Sequence, residues 1–236
     1  RVEDLRGRVS TFLGTTTREL ALLPSTSTAL AAVTESVDAA GRNRVVCTEL
    51  DFPTLAYQWA VKPEIEMVVL KSPDGVRIDP EQFAEVVDER TLFLATSHVF
   101  FATGYEQDLT TLARIARDAG AYSLIDGYQG AGQTDLSLPE TGVDFYTTGP
   151  LKWLLGGPGL SYLYVRAPLV EALKPRLTSW FATKHQLPVH RVAPGFFPKS
   201  FSSAQTITSH HLLVFEHSIH LLGRSDCAST NPRYSL

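Results

Sequence analysis

Apolar and polar positions along this chain fall into short blocks whose period keeps changing. Val2, Leu5, Val9, Phe12 and Leu13 recur at close to helical spacing. Glu19 to Leu23 is a short apolar run. The cluster Pro24-Ser25-Thr26-Ser27-Thr28 then precedes Ala29 to Val33. Hydroxyls before an Ala-rich segment predict a helix start, because they accept from the first N–H groups that lack a partner in the helix. Beyond it, apolar runs predict strands over 45–48, 66–71, 92–96, 121–125, 143–146 and 160–165. Between them, helical patterns cover 54–61, 80–87 and 108–119, and another begins at Pro168. Pro80 lies in the first turn of its helix, and Asp108 and Gly120 bracket theirs as cap and stop.

Strands alternating with helices predict an α/β sheet covered by helices. Ligands in such sheets collect beyond the carboxyl ends of the strands. Three residues able to do chemistry follow predicted strands: His98, Asp126 and Lys152. After about Ala182 the periodicity is lost. Six of the seven histidines (His185, His190, His210, His211, His217 and His220) lie in 183–236, with only Glu216 and Asp226 as acids. Residues 1–182 are therefore expected to form one large domain. Residues 183–236 are expected to be an atypical tail, without a second core. The tail histidines have no recognised ligand spacing, so no metal site is expected.

Composition narrows the picture. The net charge of −4 leaves no basic excess to neutralise nucleic-acid phosphates. No apolar run reaches the length of a membrane span. The start, Arg1-Val-Glu-Asp-Leu5, is charged and amphipathic, unlike a secretory signal. Cys47 and Cys227 are too few for a disulfide framework, and a cytoplasmic setting is expected. The chain starts at Arg1, and its one methionine, Met67, falls inside a predicted strand. It reads as a fragment, truncated at both ends.

Lys152 lies in Asp144-Phe-Tyr-Thr-Thr-Gly-Pro-Leu-Lys152-Trp-Leu-Leu-Gly-Gly-Pro-Gly159. An imidazole, a carboxylate, an amide and an amine thus follow one another as His98, Asp126, Gln129 and Lys152. That set suits an aldehyde cofactor held by a lysine as a Schiff base, with its ring nitrogen facing an acid. Pyridoxal phosphate (PLP) is such a cofactor. Each residue also has a plainer reading. Asp126-Gly127 is a common turn signal, Thr26 and Ser27 can simply cap a helix, and a lysine before Trp-Leu-Leu can be a surface residue.

The combination Asp126-x-x-Gln129, then Gly142-Val-Asp-Phe145, then Lys152-Trp-Leu with Gly156-Gly-Pro-Gly159 and an apolar strand carries a resemblance. From about Thr17 to Arg166 the chain resembles the large domain of the class V aminotransferase group of PLP enzymes. That group includes cysteine desulfurases, selenocysteine lyases, kynureninases and isopenicillin N epimerase-like proteins. The resemblance implies a fold-type I large domain, a mainly parallel sheet between helices. It implies PLP as cofactor, an amino-acid substrate, and a homodimer in the full-length parent. Lyase, desulfurase or transaminase chemistry would follow. By the same resemblance Lys152 forms the Schiff base, Asp126 faces the pyridine nitrogen, and Gln129 donates to the phenolic oxygen. His98 stacks on the ring, and Thr26 and Ser27 contact the phosphate. Desulfurases carry a serine and a histidine shortly before the lysine. Gly149 and Leu151 stand there in this chain, and Thr147 or Thr148 is expected to substitute in part. A desulfurase also needs a nucleophilic cysteine in its small domain. Cys227 lacks the matching context, and Cys47 reads as a buried strand residue. The alternative is a non-catalytic remnant that keeps the fold and at most binds PLP.

Overall fold

The chain's structure, a computed structural model, describes residues 2–173. The expected change of character after Ala182, the tail histidines and Cys227 lie outside the described residues. Helix α1 (Val2–Phe12) and a 3-10 turn (Thr17–Glu19) lead into β1 (Leu20–Leu23). Then come α2 (Thr26–Ser36), β2 (Arg44–Thr48), α3 (Pro53–Ala60), β3 (Glu66–Leu70), α4 (Pro80–Val86) and β4 (Thr91–Ser97). The remainder is α5 (Leu109–Asp118), β5 (Tyr122–Asp126), α6 (Leu138–Thr141), β6 (Phe145–Thr148), β7 (Ser161–Val165) and α7 (Ala167–Ala172).

The strands form one seven-stranded sheet in the order β1-β7-β6-β5-β4-β2-β3. Neighbours from β3 to β6 are parallel, whereas β7 runs antiparallel to both β6 and β1. The sheet is therefore mainly parallel, as expected, with one reversed strand. Sheets covered on both faces need apolar residues on both sides of each strand. That is why β1, β4, β6 and β7 are buried along their whole length. Ala21, Leu23, Phe93, Ala95, Leu124, Phe145 and Leu163 pack on one face with α2, α3 and α7. Leu20, Leu22, Ile125, Tyr146, Tyr162 and Tyr164 point to the other face, against α1, α5 and α6. Val46 and Leu94 continue that second face against α4 and α5.

Two elements depart from the sequence reading. Helix α6 has only four residues and contains Pro139, too little chain to leave a helical period. Strand β6 starts two residues later than its apolar run, because Asp144 is engaged as a clasp. Its Oδ2 accepts from the N–H of Ser123 at 3.0 Å and from the Ser123 hydroxyl at 3.2 Å. Its Oδ1 accepts from Arg166 Nε at 2.8 Å and Nη2 at 2.7 Å. One buried carboxylate thus ties the start of β5 to the end of β7 and holds the pair of strands on either side of Lys152. Removing one partner from such a pair leaves the other charge without compensation. Asp144→Ala is expected to cost about 2–4 kcal/mol in urea unfolding. A loss below about 0.5 kcal/mol, the range of ordinary surface changes, would show that the clasp does not hold the sheet.

Candidate active site

A cavity of about 360 Å3 opens at the carboxyl ends of the central strands, on the α2 and α3 face. Lys152 lines it from the loop after β6. That loop is closed by a 2.7 Å bond from Gly156 N–H to Pro150 O and a 3.1 Å bond from Leu155 N–H to Lys152 O. Asp126, the last residue of β5, lines the same cavity and is buried. Its Oδ1 accepts from the N–H of Tyr128 at 3.0 Å. Burial pushes this carboxyl up to about 6; the Tyr128 N–H pulls the other way, and the charge of Asp51 adds to the rise.

Gln129 also lines the cavity, and its Oε1 accepts from the indole N–H of Trp153 at 3.2 Å. An indole nitrogen only donates. The amide is therefore oriented with its oxygen toward Trp153, leaving the NH2 to donate elsewhere. Thr26 and Ser27 line the cavity from the first turn of α2. Ser25 caps that turn, its Oγ accepting from Thr28 N–H at 3.1 Å. The N–H groups of Thr26 and Ser27 come before any acceptor of their own helix. The cavity therefore combines an amine, a buried acid, an oriented amide and a helix N-terminus.

His98 and Thr148 are not part of its lining. Strand periodicity gives the reason, since successive side chains point to opposite faces. Phe93, Ala95, Leu124 and Phe145 face α2, so Ser97, Asp126 and Thr147 fall on that side while His98 and Thr148 fall on the other. The hydroxyl of Ser161 bridges to Thr26 and to Thr147, at 3.4 Å each, but bonds only the backbone O of Thr148. The Thr148 hydroxyl is buried without a hydrogen-bond partner among the described residues. The imidazole of His98 lies beneath Gly130, where a Cβ would stand 2.2 Å from its Nδ1. Its Nε2 is 3.2 Å from Glu106 Oε1, and its Nδ1 is 3.0 Å from Tyr146 OH. A carboxylate only accepts, so Nε2 carries a proton, and in the neutral ring Nδ1 accepts from the tyrosine. Burial lowers the proton affinity of His98, and Glu106 partly restores it. His98 thus buttresses the Asp126–Gln129 turn from below; its ring does not lie in the cavity.

Sequence reading missed the residues that shape the walls. Phe52, the cap of α3, Thr54, in its first turn, and Phe101 line the cavity. Phe52 and Phe101 meet edge to face, with centroids 5.3 Å apart at 86°. Tyr128 lines it as well, and its ring packs where a Cβ on Gly149 would stand 2.8 Å away. One signal was available for Phe52: β2 ends at the same sheet edge, so the turn after it also opens toward a ligand.

The sequence model of the aminotransferase class-V family matches residues 1–187. The chain belongs to the class-V aminotransferase family. Among its class-V relatives is an uncharacterized aminotransferase, YcbU, of Bacillus subtilis, 36% identical over 181 residues that make up 77% of this chain and 49% of the relative. A kynureninase of Pseudomonas fluorescens is 27% identical, over 96% of this chain and 56% of the kynureninase. The chain spans about half the length of the curated relatives it matches. A cysteine desulfurase structure from Thermococcus onnurineus superposes with a TM-score of 0.80 at 20% identity, covering 94% of this chain and 56% of that one. A cystine C–S lyase, solved with glycine covalently linked to its PLP cofactor, gives 0.83 at 17% identity, covering 94% and 60%. The fold is therefore the fold-type I architecture of class-V enzymes.

The raised Asp126 carboxyl makes stability depend on pH. Unfolded, it titrates near about 3.9; folded, near about 6. A raised folded value means the ionised form works against folding. The associated stability is fully present below about pH 4 and is lost as pH rises through about 6. Ionised, the group costs on the order of 3 kcal/mol. Asp126→Asn is expected to stabilise the cofactor-free chain by about 1–3 kcal/mol at pH 8 and by nothing at pH 4. Urea unfolding at the two pH values checks this, and equal effects at both would remove the electrostatic assignment.

Proposed function

We propose that this chain is the cofactor-binding part of a PLP-dependent enzyme acting on an amino acid. The observation that carries this reading is the convergence of Lys152, Asp126, Gln129, Thr26 and Ser27 on one cavity. The fit can be judged from the donor set. Asp126 is a buried acid whose charge is held by a backbone N–H, with no cation in ion-pair contact among the described residues. A protonated ring nitrogen would supply that cation. A phosphate suits the N–H groups and hydroxyls at the start of α2. The cavity volume falls within the range of small-molecule sites.

When bound, PLP supplies a cationic ring that draws electrons from a bond at the amino acid's Cα. The protein's part is to bind, orient and move protons. Lys152 Nζ would be the amine that holds the aldehyde carbon, with loss of water, and would be placed to move a proton at the substrate's Cα. Asp126 would hold a proton on the ring nitrogen, Gln129 would donate through Nε2 to the phenolic oxygen, and Thr26 and Ser27 would hold the phosphate. His98 acts from beneath, keeping the turn that presents Asp126 and Gln129 in place. Phe52, Val99, Phe101 and Leu151 give the cavity apolar walls beside its polar groups.

Residues 1–182 are proposed as the large domain and 183–236 as the separate, atypical tail. Phe52, Phe101 and Leu151 leave apolar surface at the cavity mouth, 44–48% exposed, which supports a homodimer in which a second copy covers it. No helix among the described residues is long and apolar enough to cross a membrane. The acidic net charge and sparse cysteines support cytoplasmic work on a small amino acid rather than on nucleic acid.

Adding PLP and then borohydride should leave a stable adduct on Lys152, found by peptide mass spectrometry, and Lys152→Ala should abolish it. An adduct on another lysine would refute the assignment. In a full-length parent, Asp126→Asn should lower turnover far more than cofactor affinity. The charge-assisted hydrogen bond alone accounts for about 1.5–3 kcal/mol, roughly ten- to hundredfold. An unchanged rate would exclude Asp126 as the acid at the ring nitrogen.

A further inference from the structure

A second carboxylate lies behind the cavity wall. Asp51 stands in the turn between β2 and α3, one residue before Phe52, and is buried. Its Oδ2 accepts from the N–H of Thr48 at 2.8 Å. Its Oδ1 accepts from the N–H of Ser97 at 2.6 Å and from the Thr96 hydroxyl at 2.9 Å. All of these partners are neutral donors. Gln107 braces the same strand end, donating to Thr96 Oγ1 at 2.9 Å and to Ser97 O. Donors reach both oxygens of Asp51, the Ser97 side chain included, and a carboxylate accepts at both where an amide accepts at only one. Taking that ion out of water still costs several kcal/mol, so its charge as well as its bonds acts on its surroundings.

Position suggests what the charge does. Ser97, whose N–H Asp51 binds, is paired in register with Asp126 across β4 and β5. Ser97, Asp126 and Phe52 all line the cavity. We propose that Asp51 is a positioning residue for Asp126. It fixes the end of β4 against β5 and supplies a second buried negative charge that favours a cationic N–H opposite Asp126. Its effect on a bound cofactor rests on the function proposed above, whereas the coupling of the two carboxyls stands without any cofactor.

The other groups facing this pair can be separated from it. Cys47 on β2, pushed up to about 12 by burial and by Asp51, stays neutral between pH 4 and 8. Tyr128 and Tyr146, beside Asp126, are also raised and stay neutral. Lys152 lines the same cavity as Asp126. His98, joined to Tyr146 and Glu106, is the remaining group to follow.

The test uses the cofactor-free chain with 13C-labelled aspartate side chains, titrated by NMR. In the unaltered protein the Asp51 and Asp126 carboxyls should titrate as a coupled pair, each curve showing two steps. Asp51→Asn should move the Asp126 midpoint down by about one pH unit or more, and weaken PLP binding about threefold. Thr96→Val removes one neutral donor but keeps the charge, so it should leave the Asp126 midpoint where it was. A folded Asp51→Asn variant with an unmoved Asp126 midpoint overturns the inference. So does an equal shift in Thr96→Val, which would make the effect structural. If Asp51→Asn does not fold, the unaltered protein decides: independent single-step curves overturn the coupling and two-step curves support it. If PLP fails to attach to Lys152, the proposed function falls, while the carboxyl titrations still report on Asp51 and Asp126.

Discussion

Successive residues of a β-strand point to opposite faces, and this period of two decides which side chains can meet at the edge of the sheet. Every central strand here is covered on both faces, so neither direction is open to water. Asp126 shares a side with Leu124, Phe145 and α2; moved by one residue it would sit among α1 and the tyrosines of the other face. The acid and the helix N-terminus share one chamber because β5 ends on an even-numbered residue relative to Leu124. The same parity turns His98 and Thr148 away from it.

This constraint also explains what the sequence could and could not reveal. The apolar runs located β2 to β5 to within a residue or two, because strands buried on both faces write a continuous signal. The α5 boundaries were legible from Asp108 and Gly120. The convergence of Lys152, Asp126, Gln129, Thr26 and Ser27 was readable because each follows a strand or begins a helix. His98 and Thr148 were harder. A continuously apolar strand does not say which of its residues faces which layer, so neighbouring positions such as Ser97 and His98 look equivalent. The Asp144 clasp was hidden for another reason, since its partners Ser123 and Arg166 are far apart in the chain. Asp51 carries no signal of its own in the sequence, and only the return of β4 beside β2 gives its carboxylate the N–H of Ser97.

Electrostatics within the chamber follows from the same geometry. On the α2 face Asp126 is buried, whereas Gln129 and Thr26 are half-buried and Lys152 and Ser27 are exposed. Gln129 finds Trp153, which orients its amide, and Asp126 finds the Tyr128 N–H. The site is therefore arranged before any ligand arrives, and less ordering is left for binding to accomplish.

The reversed strand β7 has a consequence for the order of assembly. It is inserted between β6 and β1, so Leu20 pairs with Tyr164, a residue 144 positions later in the chain. On a ribosome, β1 and the α2 segment behind it emerge early but have no strand to join until Val165 has been made. Pairings between such distant residues are the slowest to form. Strands β2 to β5 can associate as they appear, because each pairs with a recent neighbour. The strand leading into the α2 turn with Thr26 and Ser27 thus gains its sheet partner only when β7 is in place. Until β7 pairs with it, β1 has both edges open to pairing with other chains.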